Sequence, residues 1–287
     1  METPRTEEER DYKGTEVFRQ FKKNACLMHD HFMRICFDDS KSTVQLVLRK
    51  ILSKPDLEVT EMTVQKDIPN IHGRSLVLDI LARSEGVLYN CEVQNASGDS
   101  SPQRARFHGS LLDVHSLGKG EQFRSLPETY VIFITSNDKY GKGLSLYSFN
   151  RYCHEIDSNL EDGSHIIYVN GEYRGDDDIG YLMHDFNCTN PEEMHYNELA
   201  ERVAYIKNTK AGEKKMSDIF ELVKEEGREE GRAEGRAEGR AEGREEGATR
   251  MGTLMSKLYE LGRKADADKA ITDTQYRNKL YKELGIA

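Results

Sequence analysis

Residues 76–94 read LVLDILARSEGVLYNCEVQ. Two apolar runs, Leu76 to Ala82 and Val87 to Gln94, flank Ser84-Glu85-Gly86, where glycine supplies the positive φ of a tight turn. The stretch is expected to be a β-hairpin. With Glu85 and Gly86 as the loop, Asp79 comes to face Glu92. Side chains alternate along a strand, so Gln94 shares the face of Glu92 while Cys91 and Val93 point the other way. Cβ atoms directly opposite across a hairpin lie roughly 5 Å apart, and two unpartnered like charges there are destabilising. Two readings stand open at this point: a cation between the carboxylates, or a slipped register that leaves both on a solvated face. For the first, Mg²⁺ suits the donors, because it takes oxygen ligands and binds through one or two carboxylates with waters and phosphate oxygens. A metal held in that way assists phosphodiester hydrolysis.

An Asp on one strand followed by Glu-x-Lys on the next, here Leu78-Asp79 and then Glu92-Val93-Gln94, resembles the signature of the PD-(D/E)XK nuclease superfamily. Within it the chain looks like the recombination-promoting nuclease or putative transposase branch, in which Gln commonly stands for Lys. Asp30-His31-Phe32-Met33-Arg34 is similar to that branch's N-terminal motif. Gln103-Arg104-Ala105-Arg106-Phe107-His108 is similar to the helix after the core, and Leu126 to Ile134 to its next strand. A tetrapeptide repeat near the C-terminus is also frequent there. The resemblance covers most of residues 25–245. It implies an α/β, restriction-endonuclease-like αβββαβ core with a mixed sheet, followed by a long helical spacer and a short helical C-terminal tail. It further implies a Mg²⁺- or Mn²⁺-dependent DNA endonuclease linked to recombination or transposition. Asp79, Glu92 and the Val93 carbonyl would hold the metal, Gln94 would orient the attacking water, Arg104 would touch phosphate, and Asp30 would support the site. Leu78 replaces the Pro of the superfamily name. Gln94 offers neutral hydrogen bonds where Lys would offer charge, which places more of the chemistry on the metal. The alternative is a weak or inactive nuclease-derived protein that binds DNA or protein and assembles through its C-terminal helix. A transposase helper that needs partner proteins is a further alternative.

At 287 residues, 37% hydrophobic and 32% charged, the chain can form one globular domain with a substantial core plus extensions. It carries no long apolar run or secretory segment, so a soluble cytoplasmic protein with no membrane partner is expected. Cys26, Cys36, Cys91, Cys153 and Cys188 are scattered without a CxxC pair, which suits a reducing compartment and argues against a disulfide framework or zinc knuckle. The net charge of −10 is localised: residues 111–200 hold 6 basic and 16 acidic side chains, while the regions on either side are near neutral. A local basic groove for DNA is therefore compatible with the composition.

Residues 1–24 read as a polar arm, 25–210 as the nuclease-like domain, 211–248 as a charged spacer and 249–287 as a small helical tail. The spacing from Phe32 to Leu52 predicts helices broken near Asp38-Asp39-Ser40, with Asp30 read first as a helix-start residue. A strand is expected from Leu57 to Val64. A helix is expected from Pro102 to about Leu117, where the alternative for Arg104 is pairing with Asp99 or Asp113. Tyr130 to Thr135 reads as a central strand, and Leu144–Tyr147 and Ser164–Val169 as two more joined by an Asp162-Gly163 turn. Asp176-Asp177-Asp178 lacks the pattern of a calcium loop and reads as a solvated lead-in to a helix; no chemistry is assigned to His184 or His195. In the repeat EEGREEGRAEGRAEGRAEGREEG, residues 225–247, Glu230 and Glu234 lie four apart and repel, and each Gly costs about 1 kcal/mol relative to Ala. Two readings stand: a charged spacer, or self-association that sets Arg stripes against Glu stripes. Met251–Leu261 and Thr274–Leu284 are helical by spacing, with a poorer stretch between.

Overall fold

The computed structural model describes residues 15–70, 73–95 and 98–286. Its first unit ends at Phe220 and its second begins at Glu221. In the first, α1 (Glu16–Asn24), α2 (Asp30–Phe37) and α3 (Lys41–Leu52) lead into β1 (Glu61–Ile68), β2 (Leu76–Ser84) and β3 (Val87–Gln94). Next come α4 (Pro102–Ser116), β4 (Thr129–Thr135), β5 (Leu146–Phe149), a small β6–β7 ribbon (Tyr152–Cys153, Ser158–Asn159) and β8 (Ser164–Asn170). Helices α5 (Asp178–Asn187) and α6 (Asn197–Asn208) complete it, with the first turns of α7 (Lys210–Glu260). The fold is α/β around a six-stranded mixed sheet of order β1-β2-β3-β4-β8-β5. β1 to β3 are antiparallel neighbours, β3, β4 and β8 run parallel, and β5 returns antiparallel along the edge.

Local chemistry accounts for the main elements. Glu85 (φ 47°) and Gly86 (φ 82°) both take positive φ, as a two-residue turn whose twist matches its strands requires. Asp39 also takes positive φ (56°) and separates α2 from α3. Pro102 opens α4 behind Ser101, whose hydroxyl accepts the Arg104 N–H. β4 lies between two parallel neighbours, and Val131 to Ile134 are buried, which explains a continuous apolar run without alternation. One face of the sheet packs in a large core with α1, α2, α3, α5 and α6; the other carries α4 against Leu76, Leu78, Val131 and Phe133.

Several expectations need correction. The first strand begins four residues late: Leu57 and Val59 are buried, but the Leu57 carbonyl accepts Arg49 and the Val59 N–H donates to Gln45 Oε1, so the sheet does not start there. Residues 16–24 of the polar arm form a helix that buries Phe18 and sets it edge-on to Phe220 at 5.4 Å; residues 1–14 lie outside the described part. The β6–β7 ribbon separates β5 from β8, which Asp162-Gly163 was expected to join directly.

The second unit contains the rest of α7, which carries the whole repeat as helix, exposed from Glu226 onward, followed by α8 (Lys264–Thr272) and α9 (Thr274–Glu283). The poorer stretch is therefore helical. Its buried contacts are alanines, Ala267 and Ala270, meeting Leu254, Leu258, Leu280 and Tyr281; Leu261, the last residue of the helix expected from Met251, is exposed. No helix among the described residues is long and apolar enough to cross a membrane.

Candidate active site

Regular pairing between β2 and β3 runs from Ser84↔Val87 to Ile80↔Cys91. At the next position side chains replace the backbone ladder. The Asp79 N–H donates to Glu92 Oε1 at 3.1 Å, and the Val93 N–H donates to Asp79 Oδ2 at 3.1 Å. Each carboxylate thus gives one oxygen to the facing strand and turns the other toward an arginine. Asp79 Oδ1 accepts from Arg34 of α2 at 3.3 Å, and Glu92 Oε2 from Arg104 of α4 at 3.1 Å. Arg34 also meets Asp30, one helical turn earlier, at 2.6 Å.

The backbone around Asp79 is irregular in a way that serves this arrangement. On β2, Ile80 and Ala82 enter the large core, whereas Leu76 and Leu78, of the same parity, pack with α4. The strand changes face at Asp79. β1 changes with it, since Met62 and Val64 join the large core and Ile68 joins the α4 side. The residue between Val64↔Ile80 and Lys66↔Leu78 is Gln65, with φ 56°, whose amide reaches Asp79 Oδ1 at 3.5 Å. A left-handed conformation at a non-glycine residue costs roughly 1–3 kcal/mol and persists where its surroundings over-determine it.

Arg104 is held on several sides. Its Nη1 donates to Gln94 Oε1 at 3.2 Å and to the Asp99 carbonyl at 2.8 Å, and its Nε donates to His108 Nε2 at 3.2 Å. Guanidinium nitrogens only donate, so His108 Nε2 is the bare nitrogen and Nδ1 carries the proton. Asn90 Nδ2 lies 2.9 Å from His108 Nδ1, and Glu92 Oε1 lies 3.6 Å from the same ring nitrogen. Burial and the neighbouring Arg104 push the His108 pKa down to about 4. The imidazole is fully buried and neutral at pH 7. Glu92 is also fully buried and Asp79 is 4% exposed. Burial, reinforced by the facing Asp79, raises Glu92 above the usual carboxylate range; burial and Asp30 raise Asp79. A cleft of about 280 Å³ opens beside Arg104, with Arg74, Asp99, Gln103 and Phe107 among its walls.

Asp79, Glu92, Val93, Gln94, Arg104 and Asp30 therefore meet at one place, Val93 through its N–H. Asp30 is both the first residue of α2 and the partner of Arg34. Arg104 pairs with Glu92, where surface pairing with Asp99 or Asp113 was the alternative. Sequence reasoning did not assign Arg34, Gln65, Asn90 or His108 to the site. Arg34 and His108 carried a readable signal, each lying four residues after a site residue on its helix. His184, Asp185 and His195 form a separate cluster with ligand-type atoms within 4.8 Å of one another. Asp185 there accepts the backbone N–H groups of His195 and Tyr196, each at 2.8 Å, and so ties the chain entering α6 to α5. Comparison with protein-family models, curated proteins and solved structures gives no match to this chain.

Proposed function

We propose that Asp79 and Glu92 form a Mg²⁺ or Mn²⁺ site for hydrolysis of DNA phosphodiester bonds, in a core of the PD-(D/E)XK nuclease type, recombination-promoting or putative transposase branch. One observation carries the reading: two buried carboxylates from adjacent strands point together where the ladder breaks, each with an oxygen turned to a helix-borne arginine. The donor set fits a hard cation, since it offers carboxylate oxygens and no thiolate or imidazole ligand. When bound, the ion supplies Lewis acidity toward water and phosphate oxygen. The chain supplies the rest. Asp79 and Glu92 hold the ion, Gln94 presents an amide to the water, and Arg34 and Arg104 place positive charge where phosphate oxygens would lie. The αβββαβ order of α3 through β4 is consistent with the same assignment.

A second reading, a nuclease-derived DNA- or protein-binding scaffold without catalysis, is favoured by the two arginines that already occupy an oxygen of each carboxylate. Purified protein incubated with supercoiled plasmid and Mg²⁺, Mn²⁺ or EDTA separates the two. Metal-dependent nicking, lost in Asp79→Ala and Glu92→Ala, is the expected result; no nicking with either metal moves the assignment to the scaffold or to a partner-dependent helper.

A further inference from the structure

A second set of ligand-type side chains stands apart from Asp79 and Glu92 in composition and in surroundings. Asp185, in the last turn of α5, is fully buried. Its Oδ1 accepts the His195 N–H and its Oδ2 the Tyr196 N–H, each at 2.8 Å, and its other polar neighbour is His184 Nδ1, 3.1 Å from Oδ1. Asp79 and Glu92 each meet an arginine, whereas among the described residues no lysine or arginine pairs with Asp185. A carboxylate taken fully out of water is paired with a cation or coordinates a metal. The side chains gathered round this one are imidazoles.

Different elements bring the two histidines there. His184 precedes Asp185 on α5, while His195 lies in the segment entering α6, its backbone held by the Asp185 carboxylate. Their rings sit 4.7 Å apart, centre to centre, and Tyr181 packs on His195 at 4.5 Å. One ligand-type atom from each of the three residues lies within 4.8 Å of the other two. Bonds of about 2.0–2.2 Å from Zn²⁺ to nitrogen and oxygen set neighbouring ligand atoms of a tetrahedral site roughly 3.3–3.5 Å apart. His184 Nδ1 and Asp185 Oδ1 are already close to that separation, and His195, the exposed member, closes the rest by turning its ring.

We propose that His184, Asp185 and His195 bind Zn²⁺ and so pin the start of α6 to α5. The ion takes the place of the hydrogen between His184 Nδ1 and Asp185 Oδ1, with the imidazole proton on Nε2. Asp185 supplies the negative charge and keeps its two backbone N–H bonds, and water fills the fourth position. Two imidazoles with one carboxylate favour a transition ion over Mg²⁺, so this site is distinguished by its ion from the all-oxygen pair and stands independently of the nuclease reading.

The test is a Zn²⁺ titration of the full chain, freed of metal by chelator and held in excess Mg²⁺, read by calorimetry and thermal melting. Wild type should bind Zn²⁺ with a melting temperature raised by about 5 °C at saturation. His195→Ala, which removes an exposed ring and leaves the backbone N–H on Asp185, should bind about 100-fold more weakly and lose the shift while keeping the metal-free circular dichroism of wild type. His184→Ala should behave in the same way. His154→Ala, at an exposed histidine between β6 and β7, should match wild type. Co²⁺ in place of Zn²⁺ should show the visible bands of a four-coordinate site in wild type and lose them in His184→Ala and His195→Ala. Unchanged Zn²⁺ affinity in those two variants, or a wild-type chain that binds no Zn²⁺, overturns the site, and either result leaves Asp79 and Glu92 untouched.

Discussion

Glu92 and Glu234 are the same side chain under opposite conditions. Glu92 is fully buried, takes the Asp79 N–H and an arginine, and is raised above the usual carboxylate range by burial first. Glu234 stands exposed on α7 in a stretch where a residue recurs with its own kind every four positions. Removing a charge from water costs several kcal/mol, so a carboxylate stays buried only where neighbours are arranged around it, whereas an exposed carboxylate is solvated wherever the helix puts it. The hairpin therefore encodes one specific constellation, and the repeat encodes a composition.

The widest contrast should appear in plasmid nicking. Asp79→Asn or Glu92→Gln is expected to lower it by about 1,000-fold, while Glu234→Gln, Glu238→Gln and Glu242→Gln together leave it within about twofold. Comparable losses from both sets would erase the distinction between the regions.

The next effect is on stability in acid. His108 in the folded chain has a pKa of about 4 against an ordinary 6.5, so below pH 6.5 the unfolded chain takes up a proton that the folded chain refuses. Stability falls as pH drops through that window, by about 3 kcal/mol when the drop is complete. Urea titrations between pH 4 and 7 should show this slope in wild type and a flatter one in His108→Gln; parallel slopes would mean the imidazole is not buried as described.

Glu92 acts with the opposite sign. Its proton is retained in the folded state, so its favourable contribution is present in acid and fades as pH climbs. Metal must displace that proton, and apparent Mn²⁺ affinity should rise by about tenfold through the neutral range with measurable proton release. Flat affinity would show that the pair is already ionised.

The smallest effects belong to the repeat. Nothing lies within 4 Å of a Cβ built at Gly231, Gly235 or Gly239, so Ala at each should add about 1 kcal/mol of helix propensity. Circular dichroism should report greater helicity and a higher melting temperature. Sedimentation of the same triple variant sharpens the comparison: an unchanged mass fits a spacer, and loss of a dimer would reveal glycine-mediated contact between two copies.

The hairpin was readable because its determinants are local. Alternation, two polar loop residues and a glycine specify the register without help from the rest of the chain. The same logic fails at Leu57 to Val59, where alternating burial mimics a strand but the Leu57 carbonyl and the Val59 N–H bond to the Arg49 and Gln45 side chains. Helix α8 was missed because alanine fills its core positions and contributes little to an apolar pattern. The face change at Gln65 and Asp79 left no sequence signal. It follows from how two strands share layers, as does the meeting of Arg34 and Arg104 over carboxylates that lie 45 and 12 residues away.

Where β2 meets β3 beyond Ile80, the strands are joined through ionisable groups, the amides of Asp79 and Val93 resting on Glu92 and Asp79 carboxylates. Elsewhere in the hairpin the cross-strand bonds join backbone amides to carbonyls and are indifferent to ionisation. The sheet therefore has a seam whose tightness follows its protonation and its cation occupancy. Hydrogen exchange at those two amides, slow when the carboxylates are free to accept and faster when a bound ion claims them, would let the backbone report on the state of the site before any substrate arrives.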